Sequence, residues 1–524
     1  MSASTEKKQR QAAREAGTDK KTLAEQEAAK KKAKSNRRWT LGTIGVILLI
    51  ALILFLNSSF LYTHTTAISV GDASYSPAEV SYVYANRYYN WIQSYGSYAS
   101  IFGLDTSTGI AGLKQQKCPM YDDGRTWHDY FMEEARSELS QMTVLCAWAD
   151  ANGVTLTDEE IAEVDDSIAT LDSSARAGGY ASGDKYFSAN YGTGVTSAIV
   201  REMALKSALA NKASSEYAAS LEYTDAELEE HYQSLDGAQD KFSFSYYLVN
   251  AEKVESTDAD GNTSSAVTEE TTAAAKDAAD DILTAYTALK QSNPDDDNYT
   301  AMLNSAVTQV APTAEATERS NITGGNLGDY KEWLMASGRK AGDATVVDKA
   351  DGSGSYVVVF LDRSDNHYPV AQVRHILIKA VADSDGSYTD KAKEIAKNRA
   401  EEILAEFNAG DKTEDSFAEL AKDYSEDTGS AENGGLYDTV YKGATVEEFD
   451  KFCFEGHKKG DTAIVYGESS SYAGYHVMYY VGEGDLYSNL LAKNDLVNTT
   501  VSQWLEDQVN ALTVTNGWWL RIAG

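Results

Sequence analysis

Of the seven histidines in the 524-residue chain, two fall inside runs rich in β-forming residues: His375 in VRHILIK and His476 in GYHVMYY. The other five, among them His128 and His457, show no constellation. Two strand histidines can satisfy each other and nearby hydroxyls within a core, or they can set the polarity of a site. Residue type alone leaves both readings open. Asp427 lies in the polar loop SEDTGSAENGG, where an aspartate ordinarily caps a turn. Cys118, Cys146 and Cys453 form neither a CxxC pair nor a metal-ligand cluster, so no disulfide scaffold or structural zinc site is expected. A single Cys118–Cys146 bridge stays open. No Ser/His/Asp triad pattern or phosphate-binding glycine loop is present, and no metal or other cofactor is expected.

The elements that carry the histidines form a recognisable order. The strand Val373–Ile378 leads into a helix with Ile395, Ala396, Arg399, Ala400, Ile403, Leu404 and Phe407 at helical spacing and Gly410 just past its end. A shorter helix carries Phe417, Leu420, Ala421 and Tyr424 on one face. The polar loop follows, then a helix around Glu447–Phe454 and the strand Tyr475–Val481. The same order occurs once before. Phe244–Val249 is its strand, and Ala275, Ala278, Ile282, Tyr286 and Leu289 stripe its helix. Tyr299, Met302 and Leu303 follow, then Gly324-Gly325, a helix at Lys331–Ala336 and the strand Tyr356–Leu361. The Thr/Ser/Asp-rich stretch 254–272 reads as a loop insertion in this first copy.

Four features together make the second copy resemble the parvulin (rotamase) family over about 110 residues: VRHILIK, the run SFAELAKDYSEDTGSAENGG, the spacing to VEEFDKFCF, and GYHVMYY. The resemblance places His375 and His476 as the family's paired histidines on neighbouring strands. It places Asp427 where a Cys or Asp faces the bound peptide bond, and Phe449 as the aromatic wall of the proline pocket. Two pocket positions depart from the family pattern. Tyr437 stands for a usual leucine and Thr445 for a usual methionine, and both changes make the pocket more polar. In the first copy Tyr246 and Tyr356 take the histidine positions. Counting back from Gly324-Gly325 puts Thr317 at the acidic one, so this copy reads as a silent parvulin fold.

The implied chemistry needs no nucleophile. Rotation about a peptide bond costs about 18–20 kcal/mol, and X–Pro isomers interconvert over tens of seconds. A site that binds the twisted amide better than either planar form accelerates that step. The resemblance assigns catalysis to His375, Asp427 and His476 and substrate contact to Tyr437, Thr445 and Phe449. Asp427 beside the histidines would favour imidazolium and make the cluster sensitive to pH.

Charge divides the chain. Residues 1–38 hold 12 Lys/Arg against 5 Asp/Glu, whereas the remainder holds 34 against 75. So acidic a body excludes nucleic acid as a partner. No charged residue occurs from Trp39 to Gly71, and Trp39–Tyr62 is expected to be an uncleaved transmembrane helix. The basic tail 1–38 before it favours a cytoplasmic N-terminus, a single pass through the cell membrane and an extracytoplasmic body. Residues 66–235 read as mainly helical, with helix starts at Ser76-Pro77-Ala78-Glu79, Thr157…Glu160 and Thr224…Glu227. This region resembles the chaperone domain of extracytoplasmic foldases similar to PrsA and SurA. Its aromatic stretch (Tyr82, Tyr84, Tyr88, Tyr89, Trp91) could be core or a peptide groove. The segment 486–524 reads as helical, and within it Asp495–Trp519, with its QWLEDQV, resembles the tail helix that packs back on that domain.

The expected architecture is therefore α+β. A helical domain at 66–235 is followed by a degenerate parvulin-like domain at 240–365 and a parvulin domain at 370–485. The expected function is a membrane-anchored foldase that isomerises prolyl bonds in unfolded exported proteins and proline-containing peptides. The alternative is a non-catalytic chaperone whose parvulin domains only bind peptide.

Overall fold

All three helix starts read from Ser/Thr-x-x-Glu spacing form reciprocal caps. The backbone N–H of Ser76 donates to Glu79 Oε2 at 2.7 Å, that of Thr157 to Glu160 Oε2 at 2.6 Å, and that of Thr224 to Glu227 Oε2 at 2.8 Å. They open the helices Pro77–Tyr95, Asp158–Ala177 and Asp225–Ser234. The computed structural model describes residues 3–56, 58–257 and 263–524, apart from the side chains at 3, 26, 33, 35–38, 51–54, 56 and 257. The chain forms two compact units, one of residues 1–221 with 500–524 and one of residues 222–499.

The first unit is mainly helical. Its core is aromatic: Tyr84, Tyr88, Trp91, Trp127 and Phe131 are buried together, which makes core the principal role of the stretch after Ser76. Tyr89 stays 36% exposed. The C-terminal segment returns to this core. Val514–Asn516 pairs antiparallel with Ile68–Val70, and Trp504, Leu505, Leu512 and Leu520 pack on the buried cluster. Cys118, Cys146 and Cys453 are free thiols, so the Cys118–Cys146 bridge is not made.

In the second unit two sheets share one topology. The first contains β1 (Lys241–Asn250), β2 (Thr317–Thr323), β3 (Ala344–Asp348) and β4 (Gly354–Ser364) in the order β2-β1-β4-β3. The second contains β5 (Pro369–Lys379), β6 (Leu436–Val440), β7 (Thr462–Glu468) and β8 (Ala473–Leu486) in the order β6-β5-β8-β7. Helices α1 (Glu269–Ser292), α2 (Tyr299–Val310) and α3 (Lys331–Met335) serve the first sheet. Helices α4 (Asp390–Ala409), α5 (Glu414–Tyr424) and α6 (Glu447–Phe454) serve the second. Within the insertion of the first copy, Lys253–Thr257 pairs with Thr263–Val267 as a two-stranded ribbon.

The apolar stripes face their sheets with two departures. Ala279 rather than Ala278 is fully buried on α1, and Ile395 on α4 is 61% exposed. On α4 the buried face is Ala396, Ala400, Ile403 and Phe407, a spacing that turns Ile395 outward. At Gly474 of β8 an added Cβ would sit 2.5 Å from Ile378 O. At the matching Gly354 of β4 it would sit 2.3 Å from Val249 O. Both sheets use a missing side chain to bring their central strands together.

The N-terminal segment forms the helices Ala3–Glu15 and Lys20–Leu56. Among the described residues no helix is long and apolar enough to cross a membrane. The expected span Trp39–Tyr62 falls in part on the side chains at 51–54 and 56 and on residue 57, which lie outside that description.

Candidate functional site

The central strands β5 and β8 run antiparallel with His375 opposite Met478 and His476 opposite Leu377. The two histidines therefore share one sheet face as diagonal neighbours. Their Nδ1 atoms are 3.0 Å apart, and they are only 2% and 4% exposed. The loop after α5 brings in Asp427, whose Oδ2 lies 3.1 Å from His375 Nε2. Three donors converge on that one oxygen, because Ser430 Oγ donates to it at 2.5 Å and Tyr437 Oη at 3.1 Å. At the other end Tyr472 Oη lies 3.0 Å from His476 Nε2.

One assignment of donors and acceptors links these groups in a chain with His476 neutral. Tyr472 donates to His476 Nε2, His476 Nδ1–H donates to His375 Nδ1, and His375 Nε2–H donates to Asp427. The electrostatics agree. Burial, with His375 close by, pushes His476 down to about 3. The hydrogen bond from His375, aided by Ser430, holds Asp427 well below the usual carboxylate range. Burial and the Asp427 charge push Tyr437 up to about 12. The expected imidazolium at His476 is thus overridden: removal from water outweighs a carboxylate one imidazole away.

The other expected pocket residues divide. Phe449 meets both histidines edge-on, with ring centroids 5.3 Å and 5.2 Å away, but at 1% exposure it belongs to the core under the cluster. Tyr437 does not add a free hydroxyl to the pocket, because that hydroxyl is spent on Asp427 while its ring packs 4.6 Å from His375. Thr445 joins no hydrogen bond of the cluster, and its buried Oγ1 has no hydrogen-bond partner among the described residues. The exposed edge is Asp427, whose side chain is 21% accessible. No group of three or more His, Cys, Asp or Glu suited to a metal occurs among the described residues.

Sequence reasoning passed over Ser430, Tyr472, Gly467 and Arg374. Arg374 Nη1 donates to the carbonyls of Asn433 and Gly434 at 2.9 and 3.0 Å, fixing the glycine turn that leads into Tyr437. A Cβ at Gly467 would stand 2.8 Å from His476 Nε2 and 2.9 Å from Tyr472 Oη, so only glycine leaves room for their contact. Ser430 was visible as part of the loop motif. Arg374 lay within VRHILIK, Tyr472 just ahead of GYHVMYY carries no pattern of its own, and Gly467 depends on strand register.

Register also places the first copy. Tyr246 faces Val358 and Tyr356 faces Leu248, the pattern of His375 with Met478 and His476 with Leu377. The tyrosine rings lie 5.8 Å apart where the histidines are in the second sheet. Counting from the glycine pairs misleads, however. Phe244 pairs with Arg319 and Phe242 with Ile322, as Val373 pairs with Tyr437 and Ala371 with Val440. Gly324-Gly325 therefore follows the edge strand, whereas Gly434-Gly435 precedes it. Thr317 lies opposite Tyr246, which is the place of Gly435 and not of Asp427.

The family model of the PPIC-type PPIASE domain matches residues 358–480. A segment of 159 residues is 29% identical to foldase protein PrsA 3 of Bacillus anthracis, covering 29% of this chain and 48% of that protein. Foldase protein PrsA of Staphylococcus aureus (strain Newman) is 35% identical over 139 residues, 26% of this chain and 40% of its own length. Chaperone SurA of Alcanivorax borkumensis is 36% identical over 103 residues, 19% of this chain and 21% of its own. The chain thus spans about half or less of the length of these relatives. The crystal structure of PrsA from Bacillus subtilis is matched over 74% of this chain and 88% of that one, at 14% identity and a TM-score of 0.28.

Proposed function

We propose, from the PPIC-type PPIASE match over residues 358–480 and the likeness to PrsA foldases and the chaperone SurA, that the chain is an extracytoplasmic foldase that isomerises prolyl bonds. The observation that carries this reading is the closed hydrogen-bond chain from Tyr472 through His476 and His375 to Asp427. Its partners would be unfolded exported proteins and proline-containing segments.

The planar amide owes its barrier to a charge-separated resonance form with a negative carbonyl oxygen. A carboxylate held ionised beside that oxygen disfavours the planar form and leaves the twisted one unpenalised. Asp427 supplies the charge at the open edge, and His375, Ser430 and Tyr437 hold it in place. Isomerisation of X–Pro peptides by the full chain is the test. Asp427→Ala should lower kcat about tenfold or more with little change in peptide affinity. A folded wild-type chain giving no rate above the uncatalysed one would sink the reading.

A second reading, peptide binding without turnover, is favoured by the burial of Phe449, which leaves no open aromatic wall to grip a proline ring. It expects suppression of client aggregation that persists in the Asp427 variant. Attachment to the membrane is proposed on the charge-free run from Trp39 to Gly71 behind a basic tail. Recovery of the chain in the alkali-washed membrane fraction is expected, and recovery in the soluble fraction would exclude an anchor.

A further inference from the structure

Lys241 on β1 is a half-buried cation without a counter-ion. Its Nζ donates to Thr323 Oγ1 at 2.8 Å, and among the described residues it forms no ion pair. Burial pushes its pKa down, with no carboxylate close enough to oppose the shift. In a chain with a net charge of −34, a desolvated lysine with no ion pair among the described residues calls for an explanation.

The residue lines a cavity of about 670 Å³ at the seam where β4 ends and 365–368 leads into β5. The second copy contributes Lys442 to the same wall. Its Nζ is held 4.5 Å from the Tyr368 ring centroid and 5.7 Å from that of Phe454. It too makes no ion pair among the described residues. The third cation of the wall, Arg363, is already committed: Nε donates to Asp240 Oδ2 at 2.7 Å and Nη1 to Met335 O at 3.2 Å. Asp240 is only 2% exposed, and it also accepts from Tyr232 Oη at 2.9 Å. Asp365, on the cavity wall, turns to His367 at 3.5 Å instead of to either lysine. Two cations with no ion pair among the described residues therefore line one cavity, one from each copy. None of the lining residues belongs to the histidine cluster.

We propose that this cavity binds a single anionic group, a carboxylate or a phosphate, between Lys241 and Lys442. Asp362 and Asp365 on the same wall set the limit, because they would repel a ligand carrying several negative charges. A carboxylate would arrive as an acidic side chain on an extended polypeptide, a phosphate as a free ion.

Titration calorimetry on the full chain at low ionic strength separates the sources. The probes are sodium phosphate, an end-blocked extended peptide with one aspartate, and the same peptide with asparagine. Saturable binding of phosphate or of the aspartate peptide is expected, with a Kd of about 1 mM or tighter and weakening as salt is raised. Lys241→Gln and Lys442→Gln should each weaken it about tenfold, whereas Lys397→Gln, a surface control paired with Glu401 at 3.8 Å, should not. Binding of phosphate alone assigns the site to the free ion, and binding of the aspartate peptide alone assigns it to acidic polypeptide. Removing an uncompensated charge should leave Lys241→Gln at least as resistant to heat as the parent, so loss of binding is not loss of fold. The proposal is overturned if neither probe saturates by about 10 mM, if asparagine binds as well as aspartate, or if the double lysine variant binds unchanged. It does not depend on prolyl isomerisation, which the calorimetry does not read.

Discussion

At His476 two effects oppose each other: the carboxylate beyond His375 favours a charged ring, and burial favours a neutral one. Burial wins, and the sign of its consequence for stability follows. The folded ring sits at about 3 against an ordinary value of 6.5, so between those values the unfolded chain binds the extra proton. Stability is complete above about pH 6.5 and falls as pH drops toward 3. Asp427 adds a loss of the same sign in a lower window, below its ordinary 3.8. Hydrogen-exchange protection factors in β5 and β8, taken relative to the intrinsic rate at each pH, should therefore fall from pH 7 to pH 4, and His476→Phe should flatten that dependence. An unchanged slope in the variant would place the acid sensitivity elsewhere. Tyr437 makes a separate expectation. Tyr437→Phe keeps the ring against His375 but removes a donor from Asp427, so the carboxyl should titrate at higher pH. The acid limb of isomerisation should move with it. Carboxyl carbon shifts of Asp427 followed by NMR would show the first effect, and the pH–rate profile the second.

The strands explain why some of this was legible in the sequence and some was not. The β-forming residues of VRHILIK and GYHVMYY placed both histidines on strands, and the repeat of helix and strand order placed Tyr246 and Tyr356 at the same points of the first sheet. Those positions depend on the two central strands alone, and the register of β1 with β4 matches that of β5 with β8. The glycine pairs failed as markers because glycine is used wherever a turn needs it. Gly434 and Gly435 have φ of 66° and 70° ahead of β6, whereas Gly324-Gly325 follows β2. Gly467 could not be found, since its approach to His476 exists only across paired strands, and Tyr472 lies just ahead of β8, where no pattern marks it. The glycines that do correspond, Gly354 and Gly474, carry an element-scale expectation. Alanine at either should cost roughly 1–3 kcal/mol, because a Cβ would press on a carbonyl of the neighbouring strand. Exchange protection should drop in β1 and β4 for Gly354→Ala and in β5 and β8 for Gly474→Ala. Loss spread evenly over both sheets would show that they do not unfold as separate elements.

On the scale of the whole chain, sequence distance and stability are decoupled. The first unit is closed by residues more than 400 positions from its first strand, since Val514 pairs with Val70 and Asn516 with Ile68. Trp504 packs 4.3 Å from Tyr217, and Leu512 and Leu520 lie against the aromatic core. Between these ends the chain folds the whole second unit, whose sheets draw every strand from residues 241–486. Closing so long a loop costs entropy that grows only slowly with length, so apolar burial by the tail can outweigh it. Truncation after Ala511 removes the strand and both leucines while leaving 222–499 intact. Limited proteolysis of that variant should open 66–221 while the segment 222–499 survives as a resistant fragment. Trp504→Ala, with a single side chain removed, should weaken the first unit by about 3–5 kcal/mol if that ring is held as tightly as a core residue, and by less in proportion to its remaining exposure. Equal protection of 66–221 in the truncated and parent chains would mean that the helical core stands without its tail, and the returning strand would then be decoration rather than closure.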